Sequence, residues 1–143
     1  ARDIKKYSYI YNNRILYTTE LEKLENNNSS YKLDELKLKR LLNNLEIDEI
    51  VQYIDEIIRK IKENKLSYVS TKRLLVEILT STKIHFKTNT IKNNTQLINE
   101  LYRDYNKTNN LLEFKDVYIS FINKYKNNSS VLRVGQSIFI SSF

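Results

Sequence analysis

The stretch "NNLEIDEIVQYIDEIIRKIKENKLS", residues 43–67, carries isoleucine or valine at seven positions and charged or amide side chains at most of the others. Five isoleucines alternate steps of three and four residues, and Val51 and Ile58 widen this stripe into a broader apolar arc. Such an arc predicts a helix packed in a bundle, with pairing to a second chain as the alternative. The five residues, called the isoleucine seam below, are Ile47, Ile50, Ile54, Ile57 and Ile61.

Four further segments repeat the helical spacing of apolar residues. The second of them, from about residue 67 to 87, has an apolar arc wide enough for a central position in the bundle. The last is preceded by Asn110 with Glu113 three residues on, a near relative of the capping box. The stripes are Leu38, Leu41, Leu42 and Leu45; Leu74, Leu75, Ile78, Leu79 and Phe86; Leu97, Ile98, Leu101 and Tyr105; and Phe114, Val117, Tyr118, Phe121, Ile122 and Tyr125.

Turn residues support the same fold class, because the chain has one glycine and no proline. Helices need neither, whereas many-stranded sheets rely on glycine turns. Asparagine caps helices and tolerates left-handed backbone, so its clusters at 12–13, 26–28, 93–94, 109–110 and 127–128 are predicted loops. We therefore expect an all-α fold, a bundle of about five helices. Its predicted interior contains Ile50, Ile54, Leu75, Ile78, Leu79, Phe121 and Ile122.

The two ends leave room for short extended segments. Residues 7–22, "YSYIYNNRILYTTELE", are compatible with a hairpin that turns at Asn12-Asn13, and equally with a helix that ends there and leads into a short strand. The nearly uncharged "VLRVGQSIFISSF", residues 131–143, is compatible with a strand, a partner-bound tail or an unstructured remnant. The expected organisation is an N-terminal connector at 1–30, a helical bundle domain at 31–126 and a tail at 127–143.

Composition removes several kinds of catalytic site. The chain has no cysteine, which excludes thiolate zinc sites, iron–sulfur clusters and cysteine nucleophiles. Its one histidine, His85, flanks an apolar stripe with no second histidine and no convergent carboxylate motif, so we interpret it as a partly buried structural residue. We expect no enzymatic activity, no catalytic residue, no metal site and no cofactor.

Hydropathy predicts a cytoplasmic protein. No apolar run approaches the roughly 18 to 20 residues that a membrane span requires, and the N-terminus lacks the apolar core of a secretory signal. We therefore expect no membrane partner. The absence of methionine suggests a segment of a longer chain.

A net charge of +7 raises nucleic-acid binding as an alternative function. The lysines and arginines are spread over separate helices with acids among most of them. The stretch between Glu77 and Glu100, with Lys83, Lys87 and Lys92, is the best candidate patch. The 11 tyrosines could stack on bases, but most fall on the helical stripes, where they fit the rim of a core.

The order of these segments resembles the helical middle region of bacterial AraC-type response regulators. The similarity covers about residues 7–126 and consists of a leucine-rich helix, an amphipathic helix after an acidic turn, the "NKLS" break at 64–67, a long helix, and "LLEFKDVYISFINKY" at 111–125. The resemblance implies a receiver domain before this region and a pair of DNA-binding helix–turn–helix motifs after it. It also implies transcription regulation within a two-component system, with no catalytic residue to assign here.

Together these observations predict a non-catalytic interdomain or oligomerisation module that couples a receiver domain to a DNA-binding domain. We expect a homodimer, because the isoleucine seam and the tail from Ser137 to Phe143 offer more apolar surface than short helices need to bury. A monomeric spacer with an unstructured tail is the other possibility for the association state. The alternative is a basic helical domain that binds nucleic acid directly through its lysines and arginines.

Overall fold

Five helices make up most of the described chain. The computed structural model describes residues 8–11, 31–88 and 95–141. Its helices are α1 (Glu35–Asn44), α2 (Ile47–Glu63), α3 (Tyr68–Thr88), α4 (Thr95–Asn106) and α5 (Leu111–Ser141), and residues 8–11 are also helical. These described ranges contain no strand. The prediction of an all-α bundle of about five helices is confirmed.

Polar side chains cap the first turns of α1 and α5. Before α1, Asp34 Oδ1 accepts a hydrogen bond from the backbone N–H of Lys37 at 3.1 Å. Before α5, Asn110 Oδ1 accepts from the backbone N–H of Glu113 at 2.9 Å, and the Glu113 carboxylate accepts from Asn110 Nδ2 at 3.0 Å. These bonds satisfy N–H groups that have no partner inside the helix. The capping role predicted for Asn110 and Glu113 is confirmed.

The left-handed positions in the turns that follow α1 and α2 are occupied by residues other than asparagine. Leu45 and Lys65 have left-handed backbone, with φ of 51° and 50°, a conformation that costs non-glycine residues about 1 kcal/mol. The Leu45 N–H donates to the Leu41 carbonyl at 2.9 Å and closes the end of α1. Because Leu45 also packs against the core, burial of its side chain offsets part of this cost. Only residues 45 and 46 separate α1 from α2.

Helix α5 runs further than the sequence indicated. Its 31 residues continue through Asn127 and Asn128 to Ser141, so the loop predicted at those asparagines is wrong, and the extended alternative for the tail is wrong as far as Ser141. Asparagine disfavours a helix interior by well under 1 kcal/mol, and no proline interrupts the segment. By backbone rise, α5 is about 46 Å long.

The N-terminal residues belong to the same core as the helices. Tyr9 and Ile10 are buried within the hydrophobic cluster that α1 to α5 form. The predicted turn at Asn12-Asn13, the loops at 26–28 and 93–94, and residues 142–143 lie outside the described residues.

The interior contains every residue predicted for it. All seven are at most 4% exposed, and each helix contributes to one continuous cluster. Helix α5 packs against α2 and α4, and α1 packs against α2 and α3. Full burial of such a side chain is worth about 1.5–3 kcal/mol. The confirmed interior residues are Ile50, Ile54, Leu75, Ile78, Leu79, Phe121 and Ile122.

The isoleucine seam is buried inside this chain. Four of its five members are at most 1% exposed, and Ile47 is partly buried against the core. Contacts of α2 with α5 and α1 cover the stripe. The bundle interpretation is confirmed, and the idea that the seam supplies spare surface for a second chain is wrong, because helices of the same chain already cover it.

The polar face of α2 is tied to neighbouring helices. Asp55 Oδ1 lies 2.7 Å from Lys115 Nζ of α5, and Glu56 Oε2 lies 3.7 Å from Lys37 Nζ of α1. Within α2, Arg59 Nη1 also lies 2.6 Å from Glu63 Oε1, one turn further on. Because these groups are partly exposed, each contact is worth about 0–1 kcal/mol, and the main effect of the two contacts between helices is to fix their relative position.

A buried tyrosine hydroxyl donates a hydrogen bond to a threonine whose own hydroxyl hydrogen is already used. Thr82 Oγ1 donates to the Ile78 carbonyl at 2.7 Å and lies 2.7 Å from the Tyr118 hydroxyl. A threonine has a single hydroxyl hydrogen, so Tyr118 must be the donor to Thr82. Burial raises the pKa of Tyr118, which keeps the phenol protonated. The interior thus contains a directed chain from Tyr118 to Thr82 to the backbone.

Candidate functional site

His85 lies at the edge of the core. It is 7% exposed, and its ring meets the Phe86 ring edge-on at 5.1 Å between centroids. Burial, with a smaller contribution from Lys39, lowers its pKa. Among the described residues there is no group of three or more His, Cys, Asp or Glu side chains placed to hold a metal. The surroundings of His85 are those of a packed side chain.

A groove of about 610 Å³ runs along α3, and Glu35 and Lys39 of α1 contribute to its lining. Two of the α3 residues that line it are apolar, Val76 at 44% exposed and Ile84 at 58%. Val69, which lies about two helical turns before Val76, is 63% exposed. We call this surface the outer face of α3; it consists of Val69, Lys72, Arg73, Val76, Glu77, Thr80, Lys83, Ile84 and Lys87.

Helix α3 has this second face because its apolar residues follow two registers. The inner register, which includes Leu75, Ile78 and Leu79, is buried in the bundle. Val69, Val76 and Ile84 are spaced by seven and eight residues, which places all three within about a quarter of a turn of one another around the helix. The wide apolar arc of the sequence predicts a central position within this chain, whereas the described residues leave one side of α3 exposed.

The outer face is predominantly cationic. Helix α3 carries Lys72, Arg73, Lys83 and Lys87 against a single carboxylate, Glu77. On the α1 side of the groove, Glu35 and Lys39 carry opposite charges. The outer face of α3 therefore combines an apolar stripe with neighbouring cations, and it is exposed to solvent.

Three tyrosine rings surround the ammonium group of Lys72. Its Nζ lies 3.9 Å from the ring centroid of Tyr9, 4.9 Å from that of Tyr105 and 5.8 Å from that of Tyr68. Burial lowers the pKa of Lys72, whereas the ring faces attract its cationic form. We call these three rings the tyrosine cage. No local sequence pattern predicts this cage, because its members come from three distant segments.

The Tyr9 ring is held in place through its hydroxyl. Tyr9 Oη lies 2.8 Å from Thr108 Oγ1, which donates its own hydrogen to the Tyr105 carbonyl at 2.6 Å. Tyr9 is therefore the donor to Thr108, as Tyr118 is to Thr82. Burial raises the pKa of Tyr9 to about 12. The tyrosine cage is thus a fixed structure that orients Lys72 at the edge of the outer face.

A second groove, of about 210 Å³, lies between α4 and α5 and has the opposite charge. Glu100, Asp104 and Asp116 line it together with Lys124 and apolar residues.

Each helix in the described ranges is too short or too polar to span a membrane. Comparisons of the chain with protein families, curated proteins and solved structures find no match.

Proposed function

We propose that the chain is a non-catalytic helical module whose function is association with other polypeptide segments. The observation that carries the proposal is the outer face of α3, where Val69, Val76 and Ile84 stay exposed although the core is closed without them. Apolar side chains clustered on one surface commonly mark a contact site. A catalytic role would require converging acid and base groups in a pocket; His85 lines the groove along α3 together with Glu77 and Ser81, but it is 7% exposed and its ring packs against Phe86.

The resemblance to AraC-type response regulators supplies the proposed setting. There the module would connect a receiver domain to a DNA-binding domain in a cytoplasmic transcription regulator. The fold is suited to connecting two domains. One hydrophobic core joins all five helices, and α5 continues for 19 residues beyond Ile122, about 28 Å by backbone rise. A helix anchored in the bundle at one end can report a change in the bundle to whatever follows it.

We further propose that two copies associate through the second half of α5. The residues from 131 onward are almost uncharged, and the isoleucine seam is buried. Sedimentation equilibrium of the full chain at a concentration of order 100 μM is expected to show a dimer that removal of residues 131–143 converts to a monomer. A full chain that remains monomeric would contradict self-association.

A matched variant separates this contact from the outer face of α3. Ile84→Asp places a carboxylate on α3 and leaves α5 unchanged, so it is expected to leave the dimer intact. Loss of the dimer in this variant would instead assign self-association to α3.

Direct nucleic-acid binding remains the second candidate, favoured by the four cations of α3. Lysine and arginine gain affinity for phosphates through counterion release, so such binding falls steeply with salt. Titration of a labelled DNA duplex at two salt concentrations tests it. Binding that weakens with salt and is reduced by Lys83→Glu would support this function.

A further inference from the structure

We propose that the outer face of α3 binds an acidic amphipathic helix of another polypeptide. This inference rests on the association function proposed above and names the partner's chemistry. It follows from three features of the face: the length of its apolar stripe, the sign of the charges beside that stripe, and the way in which the charges are held.

The length of the stripe matches a helix of about four turns. Val69 and Ile84 are fifteen residues apart on α3, a distance of about 22 Å along the axis. Val76 lies between them on the same side, and the groove beside it is open along α3. Helices recognised in grooves present apolar residues at intervals of three, four and seven, which fit a stripe of this length.

The charges select an acidic partner. Lys72 and Lys83 lie three turns apart along one edge of the stripe, Arg73 lies within the stripe, and the single carboxylate Glu77 lies on the other edge. A partner whose apolar side is flanked by glutamates or aspartates would meet complementary charges along the edge that carries Lys72 and Lys83. A basic partner would meet repulsion that costs specificity as well as affinity.

The cations on the first edge are already oriented. Lys72 is held by the tyrosine cage, and Lys83 Nζ lies 5.7 Å from the ring centroid of Tyr102 on α4. A lysine fixed in this way loses less side-chain freedom when it meets a carboxylate, so more of the contact energy appears as affinity. This orientation is the feature that distinguishes these lysines from a lysine on an open surface.

The same features disfavour the other two occupants. A second copy bound by twofold symmetry would place the outer face against itself and bring the lysines of both copies together. Nucleic acid would use the cations, but its phosphates gain nothing from Val69, Val76 and Ile84. An acidic helix uses both parts of the face.

Fluorescence anisotropy with the full chain tests the inference. The probes are two synthetic helical peptides of about four turns that share a leucine stripe, one flanked by glutamates and the other by lysines. The acidic peptide is expected to bind with an affinity that decreases with salt, and the basic peptide is expected to bind at least roughly tenfold more weakly. Equal affinity for the two peptides would overturn the inference.

Two variants localise the binding. Ile84→Asp is expected to weaken binding of the acidic peptide by roughly tenfold or more, through lost apolar contact and added repulsion. Leu112→Asp is the matched control, because Leu112 is 54% exposed on α5 and does not line the groove; it should bind as the parent chain does. Circular dichroism verifies that both variants are folded.

Three outcomes refute the inference. One is equal weakening by the two variants, and another is a DNA duplex that competes fully with the acidic peptide and is itself insensitive to Ile84→Asp. The third is an acidic peptide that does not bind. None of them bears on the dimer proposed for α5, which sedimentation measures separately.

Discussion

Helices α2 and α3 are both rich in isoleucine, leucine and valine, but they place these residues differently. In α2 the apolar side chains share one broad arc, and α1 and α5 cover it, while the opposite face bears ion pairs to Lys37 and Lys115. In α3 one arc is buried and a second set, Val69, Val76 and Ile84, is exposed. Apolar content alone therefore does not show how much of a helix its own bundle buries.

The difference teaches that charge pattern identifies the spare face. The outer side of α2 carries both signs, and its acids meet lysines of the same chain. The outer side of α3 combines apolar residues with cations that outnumber its single carboxylate. Four substitutions or titrations would break or sharpen this contrast.

The largest effect is expected for Ile54→Asp on the buried arc of α2. Ile54 is 1% exposed, and an unpaired carboxylate in an apolar interior costs several kcal/mol, of the order of total domain stability. We expect the variant to be unfolded or severely loosened by circular dichroism and denaturant titration. Ile54→Val, expected to lose about 0.5–1.5 kcal/mol, is the conservative control. An unfolding midpoint for Ile54→Asp equal to that of the parent chain would show that Ile54 is not in the core.

The next effect concerns the inner face of α3. Thr82→Val leaves the buried Tyr118 hydroxyl without its acceptor, which costs about 1–3 kcal/mol. Tyr118→Phe removes the donor instead and leaves Thr82 bonded to the Ile78 carbonyl, so a smaller loss of about 0.5–1.5 kcal/mol is expected. Denaturant titrations of both variants measure this asymmetry, and the reverse order would show that the assigned donor is wrong.

A loss of similar size is expected only at high pH, at the cage between the two faces of α3. The pKa of Tyr9 is raised from 10.0 in the unfolded chain to about 12 in the fold. The stabilisation is complete below pH 10 and is lost as pH rises toward 12, because the unfolded chain then releases the proton more readily. The loss in stability should approach about 2 kcal/mol.

Tyr9→Phe isolates this contribution from those of the other tyrosines. The variant should lose less stability than the parent chain between pH 10 and 12, as measured by denaturant titration at several pH values. If both chains lost stability in parallel, Tyr9 would not be the group that titrates.

The smallest effect is expected for Ile84→Asp on the outer face. Surface substitutions usually change stability by no more than about 0.5 kcal/mol, and Ile84 is exposed. Ile78→Asp, in the same helix but fully buried, should be as damaging as Ile54→Asp. Thermal unfolding of the two α3 variants compares its faces directly, and similar losses in both would end the distinction between them.

Periodicity predicted the helices and interior well, because burial within a bundle requires apolar residues every three or four positions. Ile50, Leu75 and Phe121 could be assigned in this way, and the pairing of Asn110 with Glu113 follows from local geometry alone. The loop predicted at Asn127-Asn128 failed because asparagine signals a turn only weakly when no glycine or proline supports it.

The candidate site could be predicted only in part. The sequence identifies the stretch after Glu77, with Lys83 and Lys87, as the best cationic patch, but the stripe predicted for α3 includes neither Val76 nor Ile84. Separating two registers in a wide apolar arc requires knowing which side the other helices cover. The tyrosine cage was out of reach, because Tyr9, Tyr68 and Tyr105 meet only after three segments fold together.

The two-residue junction between α1 and α2 has a mechanical consequence. With only residues 45 and 46 between them, and with Leu45 held in left-handed backbone by its packing, α1 has little freedom to swing as a separate arm. Because α1 forms one wall of the groove while α2 lies against α5, a load applied to the groove would be carried along the frame of the bundle toward α5. The short junction thus makes α1 and α2 move together, so the width of the groove and the position of α5 depend on each other.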